Sequence, residues 1–129
     1  MIELDHLVIA ARTLGEGHAF VLEKLGVQTQ PGGKHARMGT HNRLLGLGSG
    51  AYLEVIAVDP DAGTPFQPRW FGLDDPKMRE SLERGPRLIH WVARTDHLER
   101  DVNASLEPLG MIHAMERGNY RWRDRKSVV

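Results

Sequence analysis

Two histidines and one glutamate stand out among the residues able to do chemistry. His6 and His90 each sit two to three residues into an apolar run, His6-Leu7-Val8 and His90-Trp91-Val92. The spacing between them, 84 positions (90 − 6), recurs between Leu22-Glu23-Lys24-Leu25-Gly26 and Leu106-Glu107-Pro108-Leu109-Gly110 (106 − 22). Leu4/Leu88, Val8/Val92 and Leu14/Leu98 keep the same offset. A strand-plus-helix unit is therefore written twice, with a histidine at the same place in each copy. Two such modules pair around a pseudo-two-fold axis, which makes matched histidines candidate ligands of one shared metal. Glu54 is the third member. It is the lone charge in the otherwise apolar run Ala51-Tyr52-Leu53-Glu54-Val55-Ile56-Ala57-Val58, and a buried carboxylate must find a cation, a hydrogen bond or a metal. Two imidazoles and one carboxylate form a facial set with open coordination positions, suited to Lewis-acid catalysis or to activating water or oxygen. Arg43, Arg37 or Arg94 could instead neutralise Glu54.

The elements that must position these groups follow from periodicity. Residues 4–11 read as a strand covered on both faces. Thr13 suits an N-cap, Leu14, His18, Val21, Leu22 and Leu25 follow at helical spacing, and Gly26 suits the residue past the helix end. Gly15 and Gly17 weaken that helix near its start. Residues 30–34, Gln-Pro-Gly-Gly-Lys, read as a turn whose glycines are punctuation. Strands are expected at 36–39, 40–47 and 51–58, the last two joined by a turn at Gly48-Ser49-Gly50. A turn centred on Ser49 pairs Leu44 with Glu54 and Asn42 with Ile56, so that Asn42 shares the Glu54 face. Asn42 could then contact substrate or satisfy strand-end backbone. Tyr52, Arg94 and Trp70 are further candidates for binding a substrate. Residues 59–76 are rich in Pro, Gly and Asp and carry Phe66, Trp70 and Phe71, as expected of a linker packed down by its aromatics or of a lid. A short helix is expected at 76–84, a strand at 87–94, a helix capped by Thr95 or Asp96 and reaching about Leu106, and strands at 111–115 and 119–123. His18 reads as packing; His35, His41, His97 and His113 read as loop or element-end residues.

Composition narrows the classes. Seventeen basic and seventeen acidic residues cancel in a chain of 129, so no global field attracts nucleic acid or an anionic membrane. The basic cluster Arg117, Arg121, Arg123, Arg125 and Lys126 reads as a solvated strand face or frayed tail. Cysteine is absent, which removes disulfides and thiolate metal sites and leaves imidazole and carboxylate as ligands. No charged leader or long apolar stretch is seen, and a cytoplasmic protein that contacts neither membrane nor nucleic acid is expected.

A βαβββ module, duplicated, with His on its first strand and Glu on its last, resembles the vicinal oxygen chelate superfamily. Within it, Leu4-Asp5-His6-Leu7-Val8-Ile9-Ala10, Gly39-Thr40-His41-Asn42-Arg43-Leu44 and Tyr52-Leu53-Glu54-Val55-Ile56 are similar to glyoxalase-like domain proteins. The resemblance implies an α+β fold of paired βαβββ modules, glyoxalase/bleomycin-resistance-like. One domain spans residues 1–129: module one at about 1–59, a linker at about 60–86, and a truncated module two at about 87–129. Carried over, His6, Glu54 and His90 match ligand positions, Glu54 doubling as the catalytic base. The fourth ligand would fall at 138 (54 + 84), beyond this sequence. The superfamily holds glyoxalase I, extradiol dioxygenases, epimerases, fosfomycin-modifying enzymes and metal-free antibiotic-sequestering proteins. The implied function is a metal-dependent lyase, isomerase or dioxygenase acting on a small substrate chelated through vicinal oxygens. Its divalent ion would be Zn, Ni, Fe, Mn or Co, or there would be none. The open alternatives are a metal-free sequestering protein of the same fold and a catalytically silent remnant. A shortened second module leaves a sheet edge for another chain to cover, so a homodimer is expected.

Overall fold

The computed structural model describes residues 1–103, 109–117 and 120–127, with side chains described for residues 1–101. Two compact units emerge, Leu4–Val92 and a second made of Met1–Glu3 with Ala93–Val129. The larger is built from β1 (Glu3–Ala10), α1 (Leu14–Leu25), β2 (Gln30–His35), β3 (Thr40–Gly48), β4 (Ala51–Val58), α2 (Pro76–Glu83) and β5 (Arg87–Arg94). Its five-stranded sheet has the order β2-β3-β4-β1-β5, with β1 parallel to β4 and β4 antiparallel to β3. The smaller unit carries α3 (Leu98–Asn103) and an antiparallel pair, β6 (Leu109–Arg117) and β7 (Tyr120–Ser127). This is the expected mixed α+β architecture, with the first βαβββ module complete. Residues 104–108, into which the second-copy helix was expected to run, and the side chains of the C-terminal basic cluster lie outside the described residues.

Helix α1 forms as its caps require. The Thr13 hydroxyl accepts the Glu16 N–H at 3.1 Å. Gly26, at φ 68°, turns the chain out and donates its N–H to the Leu22 carbonyl at 2.9 Å. The helix covers one face of the sheet: Val21 packs with Ile9, Leu53 and Val55, and Leu7, Leu14, Phe20 and Leu45 close around them. All the strand residues in that cluster carry odd numbers. Alternation therefore turns His6, Val8, Ala10, Tyr52, Glu54, Ile56, Thr40 and Asn42 to the opposite face. There Val8, Ala10 and Ile56 are fully buried and form an apolar floor under the polar groups.

The β3–β4 turn has positive φ at both central residues, Ser49 (52°) and Gly50 (80°), the geometry that matches strand twist in a two-residue hairpin. Leu44 pairs with Glu54 and Asn42 with Ile56, the register expected from the Ser49 turn. One segment differs. Residues 30–34 are not a turn but most of β2, and residues 36–38, expected as strand, are a 3-10 turn. The reason is position at the sheet edge: Pro31 needs no ladder partner on its outer side, and the register slips between Pro31 and Lys34. That slip sets Gly32 and Gly33 together against Asn42, a bulge rather than a reversal.

The linker is packed down at two of its three aromatics. Trp70 is buried and meets His35 edge-on at 5.0 Å, and Phe71 lies 5.8 Å from Trp70. Phe66 is fully exposed. Phe71 adopts φ 56°, strained for a bulky residue. Arg69 and Asp74 tie the segment: the Arg69 N–H and Nη1 each donate to Asp74 at 2.7 Å, and Arg69 Nε reaches the Gly39 carbonyl at 3.3 Å. Burial alone would raise the Asp74 carboxyl. The Arg69 backbone N–H, the Arg69 guanidinium and Arg79 outweigh it and hold Asp74 below its ordinary range. A depressed native value stabilises the fold above the unfolded value, about pH 4, and that stabilisation fades as pH falls through the native value. Asp74→Asn should therefore cost about 1 kcal/mol at neutral pH, solvent screening included. Urea unfolding should show the gap to the parent protein closing below about pH 4.

Candidate functional site

Glu54 lies on the sheet face opposite α1 with its side chain 7% exposed. Its Oε2 accepts a hydrogen bond from Asn42 Nδ2 at 2.6 Å, and His35 Nε2 stands 3.9 Å from that same oxygen. Its Oε1 faces His6 Nε2 at 3.6 Å. Two of the arginines considered as partners are engaged elsewhere. Arg43 donates to the Thr29 hydroxyl and carbonyl at 2.8 and 2.9 Å, and Arg94 pairs with Glu3 at 3.2 Å in the other unit.

His6 is held from two directions. Asp5 Oδ2 lies 2.6 Å from His6 Nδ1, and the Tyr52 ring stacks on the imidazole with centroids 4.6 Å apart and planes 15° from parallel. The stack follows from register, since His6 and Tyr52 are paired on the parallel strands β1 and β4. A carboxylate can only accept, so Asp5 assigns the hydrogen to Nδ1. In the neutral ring Nε2 then presents a lone pair to the Glu54 carboxylate, and two acceptors face one another. Such a pair is stable with a positive charge between or upon them, a proton or a metal ion. Carboxylate on one ring nitrogen and metal on the other is the recurring arrangement around metal-binding histidines.

His35 was not legible as a site residue. It is buried at the end of β2, 2.9 Å from the Thr40 hydroxyl through Nδ1 and 3.3 Å from Asn42 Nδ2 through Nε2. In the fold His35 pairs with Thr40 across the short turn between β2 and β3, and no periodicity in the sequence marks that pairing. Asn42, expected to touch either substrate or backbone, accepts the Gly33 N–H at 2.8 Å through Oδ1 and donates to Glu54 through Nδ2.

His90 lies on β5, the strand beside β1. Its Nδ1 is 2.9 Å from the Trp91 N–H and 2.8 Å from the Trp91 carbonyl, and its ring meets Phe71 edge-on at 5.2 Å. His35, Trp70, Phe71 and His90 thus form a run of neighbouring rings. Among the described residues, the buried Trp70 Nε1 finds no hydrogen-bond partner. The structure brings together His6, Glu54, Asn42 and Tyr52; among the described residues, no group of three or more His, Asp or Glu side chains is gathered closely enough to hold a metal.

A glyoxalase-like domain model matches residues 4–124, nearly the whole chain. The chain belongs to the glyoxalase-like domain family. Two solved structures share the fold of this glyoxalase-like protein. A hypothetical protein from Bacillus halodurans C-125 superposes with a TM-score of 0.55 at 15% identity, over 80% of this chain and 65% of the other. Methylmalonyl-CoA epimerase from Mycobacterium tuberculosis gives 0.53 at 21% identity, over 90% of this chain and 71% of the other. The glyoxalase-like chain thus spans about two thirds of each neighbour's length. No curated protein matches its sequence. Among its described residues no helix is long and apolar enough to cross a membrane.

Proposed function

We propose that this glyoxalase-like protein is a metal-dependent enzyme, a lyase, isomerase or dioxygenase acting on a small substrate that presents two vicinal oxygens. The observation that carries the reading is the 3.6 Å approach of His6 Nε2 to Glu54 Oε1, with Asp5 on the far side of the imidazole. A divalent ion bound at 2.0–2.2 Å to nitrogen and oxygen separates its ligand atoms by about 3.0–3.4 Å, so the pair fits a shared ion after a small closure. His6 and Glu54 would hold it; His90, the third ligand that the resemblance implies, would have to close on them, since among the described residues the three are not gathered closely enough to hold a metal. A bound divalent ion supplies Lewis acidity, stabilising negative charge that develops on a substrate oxygen. Glu54, once displaced from the metal, would take and return the substrate proton through Oε1. Tyr52 keeps the His6 ring in place, and Trp70 packs edge-on against His35, the imidazole beside Glu54 Oε2.

One observation favours a second reading. Among the described residues no three His, Asp or Glu side chains around Glu54 are gathered closely enough to hold a metal, as suits a metal-free protein that binds a planar ligand against Tyr52 and Trp70. Metal analysis of the protein purified without chelator separates the two. The enzyme reading expects about one equivalent of divalent metal per chain and a melting temperature lowered by chelator. Less than about a tenth of an equivalent, unchanged in His6→Ala, would overturn it. The binding reading instead expects indifference to chelator and stabilisation by small aromatic molecules.

A further inference from the structure

We propose that Gly32, Gly33 and Asn42 form a clamp that ties one oxygen of Glu54 and turns the other towards His6. They are positioning residues for the carboxylate, and the clamp's bearing on metal affinity rests on the metal reading above. The network fixes its own polarity. The Gly33 N–H can only donate, so the Asn42 atom 2.8 Å away is the amide oxygen. Asn42 Nδ2 must then face Glu54 Oε2 at 2.6 Å and His35 Nε2 at 3.3 Å. Asn42 Nδ2 can only donate, so His35 Nε2 accepts and the ring hydrogen lies on Nδ1, towards the Thr40 hydroxyl; both amide hydrogens then have a destination. Oε2 of Glu54 is committed by a short charge-assisted bond, while Oε1 is the oxygen that faces His6. A metal taking both oxygens would have to break the Asn42 bond, so the clamp makes Glu54 a one-oxygen ligand.

The two glycines make this possible. The β2–β3 register slips between Pro31/Arg43 and Lys34/His41, which sets Gly32 and Gly33 against Asn42. The bulge gives the Gly33 N–H to a side chain instead of the strand ladder, a re-aiming typical of bulges beside functional sites. A Cβ on Gly32 would stand 2.0 Å from Asn42 Oδ1 and 2.7 Å from the Asn42 carbonyl oxygen. Any other residue there pushes the amide off the carboxylate. The Pro-Gly-Gly segment thus acts on Glu54 across the β2–β3 pair.

Co²⁺ titration of the full chain, followed by visible absorption, tests the clamp. Asn42→Leu should weaken Co²⁺ binding about 10- to 100-fold, the usual loss when a ligand's hydrogen-bond partner is removed. It should also lower the visible absorption intensity as Glu54 becomes free to bind through both oxygens. Gly32→Ala should reproduce both changes, and the double variant should be no worse than Gly32→Ala alone. Parental affinity and spectrum in Asn42→Leu would overturn the clamp, and that arm decides if Gly32→Ala does not fold. If the parent protein binds no Co²⁺, the metal reading fails and the clamp is judged without metal. The urea-unfolding cycle of Asn42→Leu with Glu54→Leu should then show at least about tenfold coupling in the unfolding constant. Zero coupling would overturn it.

Discussion

Glu54→Gln should leave the metal-free protein as stable as the parent or about 1–2 kcal/mol more stable, while weakening divalent-metal binding at least about a hundredfold. Glutamine keeps the volume and an oxygen to accept from Asn42, and it places an N–H₂ where Oε1 now faces the lone pair of His6 Nε2. An acceptor–acceptor contact becomes a donor–acceptor contact, and a buried charge disappears. Metal binding loses its anionic ligand and the stabilisation reverses in value: what helps the empty fold removes the reason for holding a carboxylate on an apolar floor. Urea unfolding of metal-free protein and Co²⁺ titration measure the two effects. A clear loss of stability with unchanged metal affinity would mean that Glu54 is there for the fold alone.

The second large effect lies on the other face of the sheet. Gly17→Ala should destabilise the protein by about 1–2 kcal/mol, although alanine is the better helix former by about 1 kcal/mol. A Cβ at position 17 would stand 2.2 Å from Val55 Cγ1 and 3.2 Å from the Ala11 Cβ. Val55 is fully buried and cannot yield without moving β4, and overpacking of this kind costs about 1–3 kcal/mol. Gly17→Leu should be worse. Val55→Ala makes room, so the double variant Gly17→Ala/Val55→Ala should lose less than the sum of the two single losses. Because Glu54 precedes Val55 on the same strand, Gly17→Ala should also weaken Co²⁺ binding. Chemical unfolding and metal titration of the four proteins check both statements.

Gly17 shows where a sequence reads well and where it does not. Helix α1 was legible from Thr13, the apolar spacing and Gly26, but Gly17 looked like a weakness because propensity is local. Its reason, the methyl group of Val55, lies 38 residues further on (55 − 17). His6, Glu54 and Asn42 could be set on one face because alternation and the Ser49 turn determine register, and register determines neighbours. His35 and the Gly32-Gly33 pair could not. Proline and two glycines read as a reversal in one dimension, and only the partner strand reveals that they form a bulge built around the Asn42 amide. The Asp5 partner of His6 was adjacent in sequence yet gave no periodic signal, since strand neighbours usually point apart. The linker aromatics were noticed, but nothing in their spacing distinguished buried Trp70 from exposed Phe66. The repeat at 84 positions pointed to His6, Glu54 and His90 meeting at one centre; β5 lies next to β1, but among the described residues those three are not gathered closely enough to hold a metal.

The 15N resonances of the His6 imidazole during titration with Zn²⁺ test the shared cation most directly. Coordination should shift Nε2 in proportion to added metal up to one equivalent, while Nδ1 keeps its hydrogen towards Asp5, and Glu54→Gln should abolish the shift. A His6 ring whose two nitrogens stay unmoved in excess Zn²⁺ would contradict the proposed centre.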